Sequence, residues 1–194
     1  PSEVSFSKEL EEDLKRRDFT INAFAMNIEE EITDLFHGRE DLNHKLIRSI
    51  GNPDVRFHED ALRILRAFRF VSKFGFDIEE RTFESLKNNM KLLKKIPIER
   101  VMVEMKKIFQ NPFYLEALRL MKQANFEVAF PELKEGINLI SKSENITLNY
   151  LEFYSLCFYM HNEEIPDYWR FSNKELAIIS KIIELVSVME NDAY

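Results

Sequence analysis

The chain changes its hydrophobic rhythm once. In EDLKRRDFTINAFAMN (12–27), small and apolar positions alternate over 19–27, which predicts a β-strand buried on both faces. A second extended run at 31–35 predicts a hairpin around the acidic turn IEEE (28–31), and 46–50 is a third extended segment. Near the N-terminus EVSFS (3–7) also reads as β-like. GNPD (51–54) is a strong break, because the residue before a proline is pushed away from helical angles. After it a helical period takes over and predicts helices at 56–73, 79–93, 97–110, 112–125, 148–160 and 173–190. Pro97 and Pro112 sit at first-turn positions, where a missing N–H costs nothing. The fold class is α+β, predominantly helical, with a β-containing N-terminal quarter and a boundary near 51–55.

Composition narrows this picture. Seventeen Phe and a hydrophobic fraction of 45% supply a core, and only four Gly and six Pro argue against a loop-rich all-β fold. The net charge of −7 excludes a globally basic nucleic-acid binder but leaves room for a local phosphate-binding patch. The single Cys157 gives no disulfide framework, which suits a reducing, cytoplasmic setting. No run is long enough to span a membrane, and no signal-peptide pattern is present, so no membrane partner is expected. The chain opens on Pro1 rather than Met, which reads as the continuation of a longer protein.

One helix carries charge in a purposeful pattern. In RFHEDALRILRAFRF (56–70), at about 100° per residue, Phe57, Ala61, Ile64, Leu65 and Phe68 share one arc and predict the core stripe. The opposite side carries Arg56, Glu59, Asp60, Arg63 and Arg66, with Arg69 at its edge. Asp60 with Arg63, and Glu59 with Arg63, are spaced to meet on adjacent turns. Over 56–73, five basic residues stand against two acidic ones, and four of the five are Arg, whose planar fork suits phosphates and base edges. An Asp beside an Arg joins an acceptor to a donor, which is what a nucleobase edge requires.

Weaker signals surround this helix. Three charges, Arg16, Arg17 and Asp18, crowd the mouth of the first predicted strand. In DLFHGREDL (34–42), Gly38 suggests a position with unusual backbone angles and Asp41 a cap or brace. Arg100 and Glu104 are spaced for an i,i+4 ion pair. His37, His44, His58 and His161 share no metal-ligand spacing with Cys157, so no zinc site is expected. Trp169 in DYWRF (167–171) reads as a core anchor rather than a base-stacking platform, and KLLKK (91–95) as a solvated helix end.

Taken in order, RRDFTINA (16–23), DLFHGREDL (34–42), EDALRILRAFRF (59–70) and RVMVEMKKI (100–108) resemble motifs B, C, D and E of the class II tRNA nucleotidyltransferases. These are the CCA-adding enzymes and the bacterial poly(A) polymerases, and the flavour of 47–70 is that of Gram-positive members. The resemblance implies a partial nucleotidyltransferase head over 1–52, a helical neck over 53–110 and a helical, tRNA-binding body over 111–194. It implies addition of C, C and A to tRNA 3′ ends from CTP and ATP without a nucleic-acid template. By motif match Arg17 binds the triphosphate, Asp18 the ribose 2′-OH, and Asp60 with Arg63 the base edge. Arg66 and Arg69 support nucleotide binding, and Glu59 belongs to the same motif. Asp34, Gly38 and Asp41 belong to a hinge, and Arg100 with Glu104 stabilises the neck. The family's metal-binding motif A, a Gly-Gly turn with a D-x-D pair holding Mg²⁺, has no counterpart here, so its carboxylates are expected upstream of Pro1. The chain is therefore expected to be N-terminally truncated, inactive alone and without metal ligands of its own, and the first predicted strand is expected to have an open edge. CC-adding, A-adding, poly(A)-adding and non-catalytic nucleotide- or tRNA-binding alternatives share these motifs, and oligomeric state is not legible.

Overall fold

A computed structural model describes residues 2–144 and 146–191. Pro1, upstream of which the metal-binding carboxylates are expected, lies outside the described residues. The described chain opens with helix α1 (Ser2–Lys15). The expected β-like character of 3–7 is thus wrong: the segment lies within a helix that anchors itself through Leu14, which is fully buried. The first strand is also shorter than its alternating pattern suggests. Thr20–Asn22 form a turn of 3₁₀ helix, and only Phe24–Met26 (β1) is extended. β1 pairs antiparallel with β2 (Ile32–Asp34), Ala25 opposite Thr33. The strand is not buried on both faces, since Met26 is mostly exposed. The expected hairpin is present, and Asn27 closes its turn by accepting from Glu31 N at 2.7 Å.

Helix α2 (Gly38–Asn43) follows, then β3 (Leu46–Ile47), helix α3 (Pro53–Glu59) and helix α4 (Leu62–Phe74). Pro53 occupies the first turn of α3, and the Asn52 side chain accepts from Asp54 N at 3.0 Å. The single helix expected over 56–73 is therefore two. Asp60 leaves α3 in an extended conformation (φ −149°, ψ 101°), and its Oδ1 accepts from Leu62 N at 3.1 Å. A short polar side chain bonding its own backbone competes with the helical ladder, which accounts for the break. The core stripe survives it, because Phe57, Ala61, Ile64, Leu65 and Phe68 are all buried.

Beyond α4 come β4 (Asp77–Ile78) and α5 (Glu80–Asn88), and a 3₁₀ turn over Met90–Lys95 ends the stretch expected as one helix. α6 (Ile98–Phe109), α7 (Tyr114–Gln123), α8 (Lys134–Ile140), α9 (Tyr150–Met160) and α10 (Asn173–Asn191) complete the fold. β3 and β4 pair in parallel, Ile47 opposite Ile78, tying the N-terminal quarter to the helices. α4 is central: it packs on α6 and α7, and one hydrophobic cluster runs from Phe19 through Phe68 and Met121 to Trp169 and Ile183. No helix among the described residues is long and apolar enough to cross a membrane.

Candidate functional site

Asp18 is the centre of the site. Its carbonyl accepts from Ile50 N (3.3 Å) and Phe19 bridges Ser49, so the residue is pinned beside the 49–50 segment. Its side chain is 10% exposed and faces two arginines of α4. Arg63 Nε donates to Asp18 Oδ1 at 3.1 Å, and Arg66 closes on Oδ2 as an ion pair. The three charges at the strand mouth thus meet α4 across the fold, with Asp18 and Arg63 45 positions apart in sequence.

Arg63 is nearly saturated. Beyond Asp18, its Nη1 donates to Arg56 O (2.8 Å) and Glu59 Oε2 (3.0 Å), and its Nη2 to Arg16 O (3.3 Å). A guanidinium has five N–H donors, so one remains on Nη2. Asp60 and Arg63 do not pair with each other as their spacing suggested. Because the helix breaks at Asp60, its carboxylate turns the other way and its Oδ2 lies 3.5 Å from Arg100. The expected Arg100–Glu104 pair is replaced as well. Glu104, buried, takes Arg69 (3.0 Å) and Lys107 (3.0 Å). Arg69 therefore ties α4 to α6, while Arg100 reaches back to the break in front of α4.

Arg17 is exposed, donating to Asn22 O at 3.2 Å and lying 3.5 Å from Asp13. The Asp13 carboxyl is held below its usual range, chiefly by its hydrogen bond from Arg16. Arg56 was not anticipated as a site residue. Its Nη2 donates to the carbonyls of Arg16 (2.7 Å) and Arg17 (2.5 Å), clamping the chain that carries Asp18. The Nε atoms of Arg56 and Arg66 are buried and take no partner among the described residues. Buried donors left unpaired are costly; of the two, Arg66 pairs with Asp18, while Arg56 clamps the neighbouring carbonyls.

The 34–42 loop is built differently from its sequence reading. Asp34 accepts from Gly38 N (2.8 Å) and Arg39 N (2.9 Å), capping α2. Partial burial pushes its carboxyl up, but the backbone donors Arg39, Gly38 and Phe36 outweigh this and hold it below its ordinary value. The left-handed residue is His37 (φ 59°), not Gly38. Gly38 is glycine for space: a Cβ there would stand 2.3 Å from Thr20 O and 2.7 Å from Phe24 Cζ. Asp41, buried, accepts from Thr20 Oγ1 at 2.6 Å and from Arg48 Nε at 3.1 Å. Arg48 also reaches Glu79 (3.2 Å), which accepts from Thr82 N (2.8 Å), while Thr82 Oγ1 accepts from Ser49 N (3.1 Å). Thr20, Arg48, Glu79 and Thr82 were missed: Glu79 and Thr82 form a local cap at the start of α5, but their links to Arg48 and Ser49, and Thr20's to Asp41, span distant parts of the chain and leave no local pattern. Among the described residues no three His, Cys, Asp or Glu side chains converge to hold a metal ion. The carboxylates that the resemblance assigns to Mg²⁺ are expected upstream of Pro1, outside the described residues.

Comparison with known proteins agrees with the motif order. Residues 1–48 match the family described as "Poly A polymerase head domain", and residues 75–137 match "Probable RNA and SrmB- binding site of polymerase A". A CCA-adding enzyme of Lactobacillus helveticus is 36% identical over 98% of this chain and 50% of its own length. One from Streptococcus agalactiae is 50% identical over 61% of this chain and 29% of its own. Among solved structures, the Bacillus stearothermophilus CCA-adding enzyme in complex with CTP superposes with a TM-score of 0.78 at 33% identity, over 92% of this chain and 47% of that one. The Thermotoga maritima CCA-adding enzyme complexed with tRNA gives a TM-score of 0.69 at 26% identity, over 94% and 50%. The chain spans about half the length of the curated relatives it matches. It belongs to the class II nucleotidyltransferase family that contains the CCA-adding enzymes and the poly(A) polymerases.

Proposed function

We propose that this chain is the nucleotide-selecting part of a template-independent RNA nucleotidyltransferase that adds CCA to tRNA 3′ ends from CTP and ATP in the cytoplasm. The observation that carries this reading is the meeting of Asp18 with Arg63 and Arg66 beside the Asp60 break. On this reading Asp18, now held by Arg63 and Arg66, accepts from a ribose 2′-OH. Arg17 and Arg66, each about half or one-third exposed, are the cations able to take triphosphate oxygens in exchange for Asp13 and Asp18.

On this reading base choice falls to Asp60 and Arg63, with the Asp60 carboxylate leaving Arg100 to share a base edge with the Arg63 guanidinium. Asp60 Oδ2 is an acceptor held only by a 3.5 Å contact to exposed Arg100, and the spare Nη2 hydrogen of Arg63 is a donor. Cytosine and adenine both present an exocyclic amine beside a ring-nitrogen acceptor, whereas uracil and guanine present the reverse pattern. A site whose polar groups would be left unpaired rejects the wrong base strongly. Glu59 and Arg56 act as positioning residues, since they hold Arg63 and the Arg16–Arg17 carbonyls in place. Arg69 and Glu104 fix α4 against α6, and the Asp34–Gly38–Asp41 loop is proposed as the hinge between head and neck, with Arg48 its charged link to Glu79. Phosphoryl transfer depends mainly on positioning and charge neutralisation. Mg²⁺ would supply part of the latter, but no step is assigned to it through these residues.

The test is equilibrium binding of CTP, ATP, UTP, GTP and dCTP to the 194-residue chain. CTP and ATP are expected to bind at least about tenfold more tightly than UTP and GTP, and dCTP more weakly than CTP. Asp60→Ala and Arg63→Ala are expected to erase base preference, and wild-type preference in both variants would overturn the reading. Sequencing the products formed on a tRNA lacking its 3′ end separates CCA addition from CC, A or poly(A) addition.

A further inference from the structure

Two stretches play no part in the nucleotide site, KLLKK (91–95) and DYWRF (167–171), and the fold brings them to the same cleft. The cleft encloses about 580 Å³ between the 3₁₀ turn that carries Leu93 and Lys94, the first turn of α6, the Pro131–Leu133 turn and the segment after α9. Its walls are largely apolar, including Ile98, Phe130, Pro166 and the ring of Tyr168, which is 44% exposed.

Glu132 supplies its polar centre. The residue is 4% exposed yet lines the cleft. Its Oε1 accepts from Trp169 Nε1 at 2.7 Å and from the Tyr168 hydroxyl. Both donors fall on the same oxygen. Oε2 takes no hydrogen bond or ion pair among the described residues, leaving a strong acceptor inside an apolar slot. This oxygen is not sealed from solvent, so a donor brought by a ligand can reach it. Lys94, exposed at the rim, makes no hydrogen bond or ion pair among the described residues and adds a site for an anion. An alkylammonium would meet the carboxylate but also Lys94. A flat amine joined to an anion satisfies both.

We propose that this cleft is a second binding site, for an amino-bearing nucleobase (adenine or cytosine) attached to a phosphate. The exocyclic amine donates to Glu132 Oε2, the ring lies against Tyr168, and the phosphate meets Lys94. The same chemistry is offered by a free mononucleotide and by an unpaired nucleotide of an RNA strand. None of the cleft's lining residues belongs to the Asp18–Asp60 site, so the inference stands apart from the function proposed above.

Trp169 is the only tryptophan in the chain, and its indole N–H sits on Glu132, so its fluorescence reports on this cleft. The chain is titrated with AMP, CMP, IMP and UMP, in wild type and in an Asp60→Ala, Arg63→Ala background that disables the other site. AMP and CMP are expected to shift Trp169 emission saturably in both backgrounds. IMP and UMP, which carry a carbonyl where the amine stands, are expected to bind about tenfold more weakly or worse. Glu132→Gln, which turns an amide donor toward the cleft, is expected to erase or reverse this order. If Glu132→Gln fails to fold, Lys94→Ala serves instead: AMP should lose its advantage over adenosine while adenosine keeps its advantage over inosine. Oligo(A) or oligo(C) acting where the mononucleotides do not, with oligo(U) inert, identifies RNA as the source. Equal responses to AMP and IMP, or no response to either mononucleotides or oligonucleotides, overturn the proposal.

Discussion

Two buried carboxylates, Asp18 and Glu132, are partnered in opposite ways. Asp18 is met by two guanidinium groups, Arg63 and Arg66, in a knot that also ties down the carbonyls of Arg16 and Arg17. Glu132 is met by a neutral hydroxyl and a neutral indole N–H, inside an aromatic cluster where Trp169 packs on Phe130 (5.6 Å between centroids) and Tyr154 (4.9 Å). The first arrangement can exchange charge with a ligand, because a phosphate can replace Asp18 as counterion to Arg66. The second cannot exchange charge, and offers only a fixed acceptor. A site for triphosphates needs the first kind, and a selective slot for a neutral base the second.

The sharpest way to break this contrast is to remove each carboxylate. Asp18→Ala strands two guanidinium groups, and breaking a buried pair from one side typically costs about 3–5 kcal/mol. Urea or thermal unfolding should show a loss of that order, with part of it restored by saturating CTP. Glu132→Ala strands two neutral donors, at about 1–3 kcal/mol, and should move Trp169 emission to the red without recovery by CTP. Equal losses in the two variants would remove the distinction.

pH sharpens the contrast further, with a smaller effect. Burial, followed by the bond to Glu132, raises the Tyr168 hydroxyl above its ordinary 10.0, and burial raises Tyr154 likewise. The unfolded chain would release these protons near pH 10 while the folded chain keeps them. Their contribution is therefore complete below about pH 10 and lost as pH rises above it. Asp34 and Glu79 act at the other end. Each carboxyl is raised by partial burial but lowered more by its hydrogen bonds, so their contribution is complete above the ordinary values of 3.8 and 4.5 and lost as pH falls below them. Alkaline unfolding followed by Trp169 fluorescence should shift upward in Tyr168→Phe relative to that variant's neutral-pH stability, leaving the acid limb unchanged. An unaltered alkaline limb would show that Tyr168 does not carry it.

What was legible in sequence follows from how local each cause is. The core stripe of α3 and α4 was readable because burial repeats with the helical period, and it survived a break that was not readable. No Gly or Pro marks that break; it comes from one hydrogen bond, Leu62 N to Asp60 Oδ1. The error then spread: with Asp60 turned toward Arg100, the expected Asp60–Arg63 and Arg100–Glu104 pairs both gave way to longer-range ones. The residues proposed for the nucleotide site came from motif order, while their pairing depended on the fold. Helix α8 was missed because it is short and carries Gly136, whose lack of a side chain is explained only by Cys157 on α9: an added Cβ would stand 2.2 Å from its Sγ.

The smallest effect is expected at Arg100. Its contact with Asp60 is long (3.5 Å), and the two side chains are 51% and 36% exposed. Exposed pairs of this kind are worth about 0–1 kcal/mol and fade with salt. Arg100→Ala should therefore unfold within that margin of wild type, with the difference vanishing at high ionic strength. Asp60 would keep its bond to Leu62 N, so the break before α4 should persist and the preference for CTP over UTP with it. A loss as large as that in Asp18→Ala would mean that Arg100, and not the buried knot, holds α4 in place. Loss of base preference without loss of stability would move Arg100 from the neck's framework into base selection.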